Sequence, residues 1–397
     1  MNNEVCEPIV IITGADRPAG LTTARSLKGN GYELWGIMTS MDQFAAQSNC
    51  WDLLELFSND RSTWLSSLEN LSGRARMKSR KKPLLLFSQD EWVLWGASVR
   101  DELSKMVEIS LPDNKCLHTM MDKTLFHSWA LENDVSVPLS IVTTNKDELQ
   151  EATTKMKFPY IIKPLVRLPS WDNKFVNQKC LEIHSDIELA KYSTEFSTIF
   201  QFSEKLLVQQ WIPGKDCDVY FVLFAVDMVG NILGSFCGRK IYQWPRLVGS
   251  TSVCVSHQSD FLLEDAARVV HLSGMKGLCS VEYKFDIRTN CYYVTEPTIG
   301  RNDYQSFIAV TAGANLSLLL ANSIFYPEKT LIKPVLVKSI WFDELSFLRV
   351  VKSEGLSSIF ILFSLLKYTG WRLSTLIWGK GDAKPLKSAL RKYIRRK

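Results

Sequence analysis

Between Ile9 and Gln209 short apolar, β-branched runs alternate with stretches of helical spacing, and from Val219 onward longer strand-like runs follow one another. Such an order predicts a doubly wound α/β layer first, then a compact α+β unit, then a larger sheet. Ile9–Thr13 leads into Gly14 and Gly20, and Leu21, Ala24 and Leu27 recur at helical spacing until Gly29 and Gly31 end the run. Leu34–Met38 and Leu84–Ser88 read as further strands, the second preceded by a basic loop over Arg74–Lys82. The glycine spacing lacks a middle glycine, so the dinucleotide fingerprint is broken, and no Lys-Ser/Thr follows Gly20 as a phosphate loop requires. A structural turn in a Rossmann-like domain is the better reading of that segment. The only Tyr-x-x-x-Lys is Tyr393/Lys397 at the extreme end, which disfavours a reductase.

At 397 residues the chain has room for two or three domains. Pro112-Asp-Asn114 marks the first boundary, giving residues 1–113, then 114–330 with a small lid over about 137–212 and a larger part over about 213–330, then a helical extension over 331–397. Lys115–Asn133 reads as one or two helices, Leu262–Leu272 as a helix and Ala309–Phe325 as a helical run. Leu278–Phe285 and Tyr292–Glu296 form a hairpin turning near Asn290.

The formal charge is +5, and the last fourteen residues hold seven basic and no acidic side chains. The rest of the chain is therefore slightly acidic, which argues against a nucleic-acid binder. Nine cysteines without a CxxC pair fit reduced thiols in a cytoplasmic protein, and five histidines without an HExxH pattern disfavour histidine-held metal. The first residues carry Glu4 and Glu7 and no basic start, so no signal peptide is expected.

Chemistry concentrates in a few places. Glu282 lies in Ser280-Val-Glu-Tyr-Lys-Phe and Glu296 ends Tyr292-Tyr-Val-Thr-Glu. A hairpin can set these carboxylates opposite one another, and two such groups repel unless a cation sits between them. Hard oxygen ligands beside a phosphate suit Mg²⁺; two surface glutamates in an ordinary hairpin is the alternative. Lys163 closes an apolar strand just before Pro164, a costly place for a charge without an anion nearby. Lys123 lies in Met121-Asp-Lys-Thr-Leu-Phe, and Leu206 to Asp216 runs a strand into a Pro-Gly turn.

Taken together and in this order, these motifs resemble the ATP-grasp superfamily, in its carboxylate–amine ligase-like branch, over about Lys115 to Phe325. The resemblance implies an α/β ATP-grasp fold with an N-terminal Rossmann-like domain, a small α+β lid and a larger α/β part, followed by a helical basic tail. It implies ATP with Mg²⁺ (or Mn²⁺), with a small-molecule carboxylate and an amine as substrates. Lys123 and Lys163 match the nucleotide-phosphate lysines, Gln209, Gln210, Trp211 and Ile212 the adenine hinge, and Asp216 the ribose-binding acid. Glu282 and Glu296 match two magnesium ligands. Thr298 stands where the third, an asparagine, is usual, and Asn302 is the candidate substitute. Arg301 and Lys284 are the implied catalytic cations, and Arg239 and Lys240 the implied substrate-carboxylate ligands. The stretch Leu165–Lys179, which covers the phosphates in relatives, holds no glycine; Arg167, Lys174 and Lys179 could compensate by charge.

The tail adds a separate reading. Leu386, Ala389, Leu390, Tyr393 and Ile394 share one helical face, and Lys387, Arg391, Lys392, Arg395 and Arg396 fill much of the rest. Residues 384–397 can lie on an anionic membrane surface or dock on the body. Trp378–Pro385 resembles the ending of ligase-like proteins linked with bacterial surface-polysaccharide genes. The alternative to a ligase is an inactive ATP-binding scaffold, favoured by Thr298 and the glycine-free loop.

Overall fold

The structure is a computed structural model that describes residues 6–165, 169–175, 180–201, 205–328, 336–355 and 358–395. Within them the strands form three sheets. The first holds β1 (Ile9–Ile12), β2 (Glu33–Met38), β3 (Leu53–Leu56), β4 (Leu84–Leu86) and β5 (Glu108–Ile109), all parallel, in the order β3-β2-β1-β4-β5. β1 is buried on both faces, which is why its sequence is continuously apolar. Both glycines of the first turn have a steric reason: Gly14 has φ +61°, and a Cβ on Gly20 would lie 2.1 Å from the Gly14 carbonyl oxygen. Pro18 opens the helix Pro18–Leu27, a position where its missing N–H costs nothing. The expected basic loop at Arg74 is instead the end of a helix, Trp64–Ser79, whose Leu68, Leu71 and Ala75 are buried. The apolar spacing there outweighs the run of charges, which faces solvent.

The second sheet is antiparallel, with β6 (Ser140–Thr143), β7 (Tyr160–Pro164), β8 (Leu181–Ile183) and β9 (Leu206–Gln210) in the order β6-β9-β7-β8. It has its own core, built on Trp171, Phe175, Phe196 and Ile199. Trp171 belongs to a short helix, Pro169–Lys174, inside the glycine-free stretch after Lys163. Lys174 is exposed; Arg167 and Lys179 lie outside the described residues.

The third sheet takes β10 (Val219–Val226), β11 (Ile232–Trp244), β12 (Ser250–Ser256), β13 (Gly277–Asp286), β14 (Cys291–Thr298), β15 (Ser339–Phe342) and β16 (Arg372–Thr375) in the order β14-β13-β10-β11-β12-β15-β16. The region after residue 331 is thus not only helical. It supplies two strands, β15 beside β12 and β16 parallel to β15, joined by the helices Glu344–Ser353 and Ser358–Leu365. The helical run after Ala309 is two helices, Phe307–Ala312 and Leu316–Phe325, broken at Gly313 with φ +111°. They share a core with the first sheet in which Ile12, Leu21, Phe221, Trp341 and Leu320 are all buried, so the first and third sheets pack as one body. The last helix, Lys384–Arg395, packs against Phe44–Gln47 with Ala389 buried and Leu386 half-buried. Just before it, Asp382 accepts from Arg25 Nη2 at 2.7 Å, Ser48 Oγ at 2.6 Å and the Asn49 amide at 3.1 Å. That carboxylate latches the chain's end onto the first sheet. Among the described residues no helix is long and apolar enough to cross a membrane.

Candidate functional site

A cleft opens between the lid sheet and the β13–β14 hairpin, closed at one end by the first domain. Lys123, Lys163, Gln209, Glu296, Thr298 and Arg301 all line it. Lys163 is the last but one residue of β7, and its neighbour across the strand pair is β9. Its Nζ donates to Gln209 Oε1 at 2.9 Å, while Gln209 Nε2 donates to Ser140 Oγ at 2.7 Å. Gln209 therefore orients the lysine with its side chain. Burial, followed by the nearby charge of Lys123, lowers the Lys163 ammonium to about 8, with Glu296 opposing. Lys123 is the first residue of the helix Lys123–Glu132, which Asp122 caps through the Thr124 and Leu125 amides. A cation there opposes the helix dipole, and an anion in the cleft would relieve both.

The hairpin brings the two glutamates face to face through an irregularity. From Asp286↔Cys291 to Tyr283↔Val294 the register is regular, and continuing it would pair Glu282 with Thr295. A bulge at Thr295 shifts the pairing to Glu282↔Glu296, so the two carboxylates share a face. Thr295 Oγ1 donates to the Glu282 carbonyl at 3.2 Å and to its Oε1 at 3.3 Å. The Glu296 carboxyl is pushed up from the ordinary range by burial and then by the Glu282 charge; Lys123 and Lys163 pull the other way. Glu282 itself meets Lys240 Nζ at 2.5 Å.

Arg301 reaches the cleft from the loop after β14. Its Nε donates to Asp90 Oδ1 at 2.5 Å, and a bridge between Phe87 and Arg301 fixes the two backbones side by side. Asp90, in the first turn of the helix Asp90–Ser98, also lines the cleft. No local pattern in the sequence signals this contact, because it joins two domains. His127 also lines the cleft, one turn beyond Lys123; its Nε2 is 3.2 Å from the Pro138 carbonyl, and burial keeps its ring below the usual imidazole range.

Several expected site residues are placed elsewhere. Asn302 is buried with its amide donating to Thr23 Oγ1 and Ser317 Oγ, so it ties helices together and does not substitute for the missing asparagine. Asp216 is buried, accepts from the Gln243 and Leu247 amides and from Arg246 Nε at 2.5 Å, and is not among the residues that line the cleft. Lys284 is two residues beyond Glu282 on β13, which is about 7 Å further along the strand. It donates to the Lys215 carbonyl at 2.7 Å and so braces the turn after the hinge; neither it nor Glu282 is among the residues that line the cleft. Arg239 and Lys240, the implied substrate-carboxylate ligands, point apart, because adjacent strand residues face opposite sides of the sheet. Lys240 faces Glu282; Arg239 lies over the Tyr220 ring at 5.2 Å and pairs with Asp218. At the hinge the Gln210 amide is already used by the Leu139 carbonyl, Ile212 is buried, and Trp211 follows the end of β9.

No family model matches the chain. A D-alanine–D-alanine ligase from Rickettsia canadensis is 22% identical over 214 residues, covering 51% of this chain and 56% of the ligase. The chain thus spans about half the length of the curated relatives it matches. Among solved structures, N5-carboxyaminoimidazole synthetase from Staphylococcus aureus, complexed with ADP, superposes with a TM-score of 0.62 at 13% identity, over 86% of this chain and 83% of that one. Biotin carboxylase from Campylobacter jejuni gives 0.61 at 16% identity, over 83% and 74%. The chain has the ATP-grasp fold. At these identities the shared ATP-grasp architecture is what the likeness carries; the chemistry must be argued from the cleft.

Proposed function

We propose that this chain is an ATP-dependent ligase that binds ATP with Mg²⁺ in the cleft, phosphorylates a carboxylate and passes the acyl group to an amine. The observation that carries this reading is the convergence of Lys123, Lys163, Arg301 and Glu296 from four separate elements on one cleft. Three cations gathered around a crowded carboxylate repel one another, and a polyphosphate is the ligand that would neutralise them. Glu282 and Glu296 fit a hard divalent ion: the register pairs them across the two strands, and a cation there would relieve a Glu296 carboxyl that burial first and the Glu282 charge second push up. Among the described residues no three Asp, Glu, His or Cys gather, so phosphate oxygens and water would complete the coordination. When bound, such an ion draws charge off the phosphate oxygens.

In this reading Lys123 and Lys163 hold the phosphates, and Gln209 fixes the direction of Lys163. The carboxylate oxygen attacks the γ-phosphorus, the bond to the bridging oxygen breaks, and ADP leaves with that electron pair. Arg301, aimed by Asp90, neutralises charge on the transferring group. The amine nitrogen then attacks the acyl carbon, phosphate departs, and the amine gives up a proton. Closure of the lid, which has a core of its own, would keep water from the acyl phosphate. Lys240, which pairs with Glu282, would be released to meet the substrate carboxylate once the ion takes Glu282.

The test is phosphate release from ATP against a panel of amino acids and uronic acids, each with and without amines. Release that requires both a carboxylate and an amine supports the ligase. Sugar-linked compounds belong in the panel because of the resemblance of Trp378–Pro385. Nucleotide binding with no release under any pair would favour the scaffold, for which the Lys240–Glu282 ion pair is the structural argument.

A further inference from the structure

The helix Ser358–Leu365 is apolar on two sides, and only one side is covered. Leu365 packs on the small core of Ile241, Val253, Val255 and Ile340, Ile361 is buried, and Ser364 Oγ meets Tyr242 Oη at 2.7 Å. On the other side Ile359, Phe363 and Leu366 recur at helical spacing with Phe360 beside them. These four are 55%, 63%, 61% and 75% exposed, and Leu348 on the preceding helix is exposed as well. Single apolar residues on a surface are ordinary; two phenylalanines, an isoleucine and a leucine on one helical face are not.

The surrounding charge says what could cover them. From Lys338 to Arg395 the chain carries eleven Lys and Arg but four Asp and Glu. Each of those acids is engaged internally: Asp343 accepts from the Ser346 amide, Glu344 from the Ile377 and Trp378 amides, Glu354 pairs with Arg246, and Asp382 with Arg25. Lys352, Lys367 and Arg372 flank the apolar helix, are exposed, and form no ion pair among the described residues.

We propose that this face docks on an anionic lipid bilayer, with Phe360 and Phe363 at the acyl boundary and Lys352, Lys367 and Arg372 among the headgroups. A second copy of the chain fits less well, because a twofold pair of such faces would set the same cations against each other. The terminal basic helix is not the element that enters the lipid, since its Leu386 and Ala389 already rest on the body. The docking does not depend on the ligase reading, as no residue of the cleft takes part.

The test is sedimentation of the full chain with vesicles of phosphatidylcholine and phosphatidylglycerol, and with phosphatidylcholine alone. The chain is expected to bind the mixed vesicles and not the neutral ones. Phe360→Ser with Phe363→Ser should weaken that binding by about tenfold or more while leaving the melting temperature and nucleotide affinity unchanged. Lys387→Gln with Arg391→Gln, on the terminal helix, should cost far less. The proposal is overturned if the mixed vesicles are not bound, if the phenylalanine variant binds as well as the parent, or if the terminal-helix variant alone loses binding. A dimer in solution that the phenylalanine variant dissolves would also overturn it.

Discussion

Raising the pH should separate the two roles that Lys163 plays, in stability and in nucleotide binding. Its ammonium is lowered to about 8 in the folded protein, by burial and then by Lys123, against an ordinary lysine near 10.5. The unfolded chain therefore binds more protons at this site between about pH 8 and pH 10.5, and in that window stability rises with pH. Below pH 8 both states are protonated and the whole cost of the crowded charge is present. The gain on going up is on the order of 2 kcal/mol, after a discount for solvent at the mouth of the cleft. Nucleotide binding should run the other way. A triphosphate selects the charged lysine, so affinity is level below pH 8 and falls above it. Between pH 7.5 and 9.5 the protonated fraction at a pKa of about 8 drops roughly twenty-fold, and the dissociation constant should rise by a similar factor. Calorimetry with a non-hydrolysable ATP analogue measures the second slope, and thermal melts over the same range measure the first. Lys163→Arg keeps its charge throughout, so its affinity should stay level. A level affinity in the parent chain, or the same fall in Lys163→Arg, would refute the placement of a phosphate against this ammonium.

Three further outcomes follow from the cleft and its surroundings. Glu296→Gln removes one of two facing carboxylates; Mg²⁺-dependent ATP turnover should be lost while the melting temperature holds or rises, as read by phosphate release and calorimetry. Asp90→Asn leaves Arg301 without its charged partner, so kcat should fall by about tenfold with little change in KM for ATP, and Asp90→Glu should restore part of it. Asn302→Ala strips a buried amide from Thr23 and Ser317; denaturant unfolding should show a loss of about 1–2 kcal/mol, and the Mg²⁺ dependence of turnover should not move.

What the sequence reveals about this cleft depends on how local each cause is. The first turn is readable because its causes lie within a few residues: β-branched Ile9–Ile12, a glycine with positive φ, and a proline at the start of a helix. β16 is not, because Arg372–Thr375 becomes a strand only by joining β15, itself attached to β12 some eighty residues earlier. The partners that Asn302 and Asp216 take in the fold are illegible for the same reason. A polar side chain two to six residues from a motif reads as available, and whether Thr23, Ser317 or Arg246 has already taken it is decided by distant segments. The glutamate pair is the most instructive case. Strict alternation from the turn at Asn290 would send Glu296 to the face opposite Glu282, and one unpaired residue, Thr295, reverses that. The bulge is held by the hydroxyl of Thr295 on Glu282 itself, so the same threonine both breaks the register and binds the carboxylate it exposes. Thr295→Val keeps the β-branched shape and removes only the hydroxyl. If that hydroxyl fixes the geometry, the variant should fold normally yet need a higher Mg²⁺ concentration for half-maximal turnover, by about threefold to tenfold, the worth of one hydrogen bond. An unchanged Mg²⁺ dependence would mean that the strand bulges for reasons of packing alone, and that the facing of the two acids is not held by Thr295.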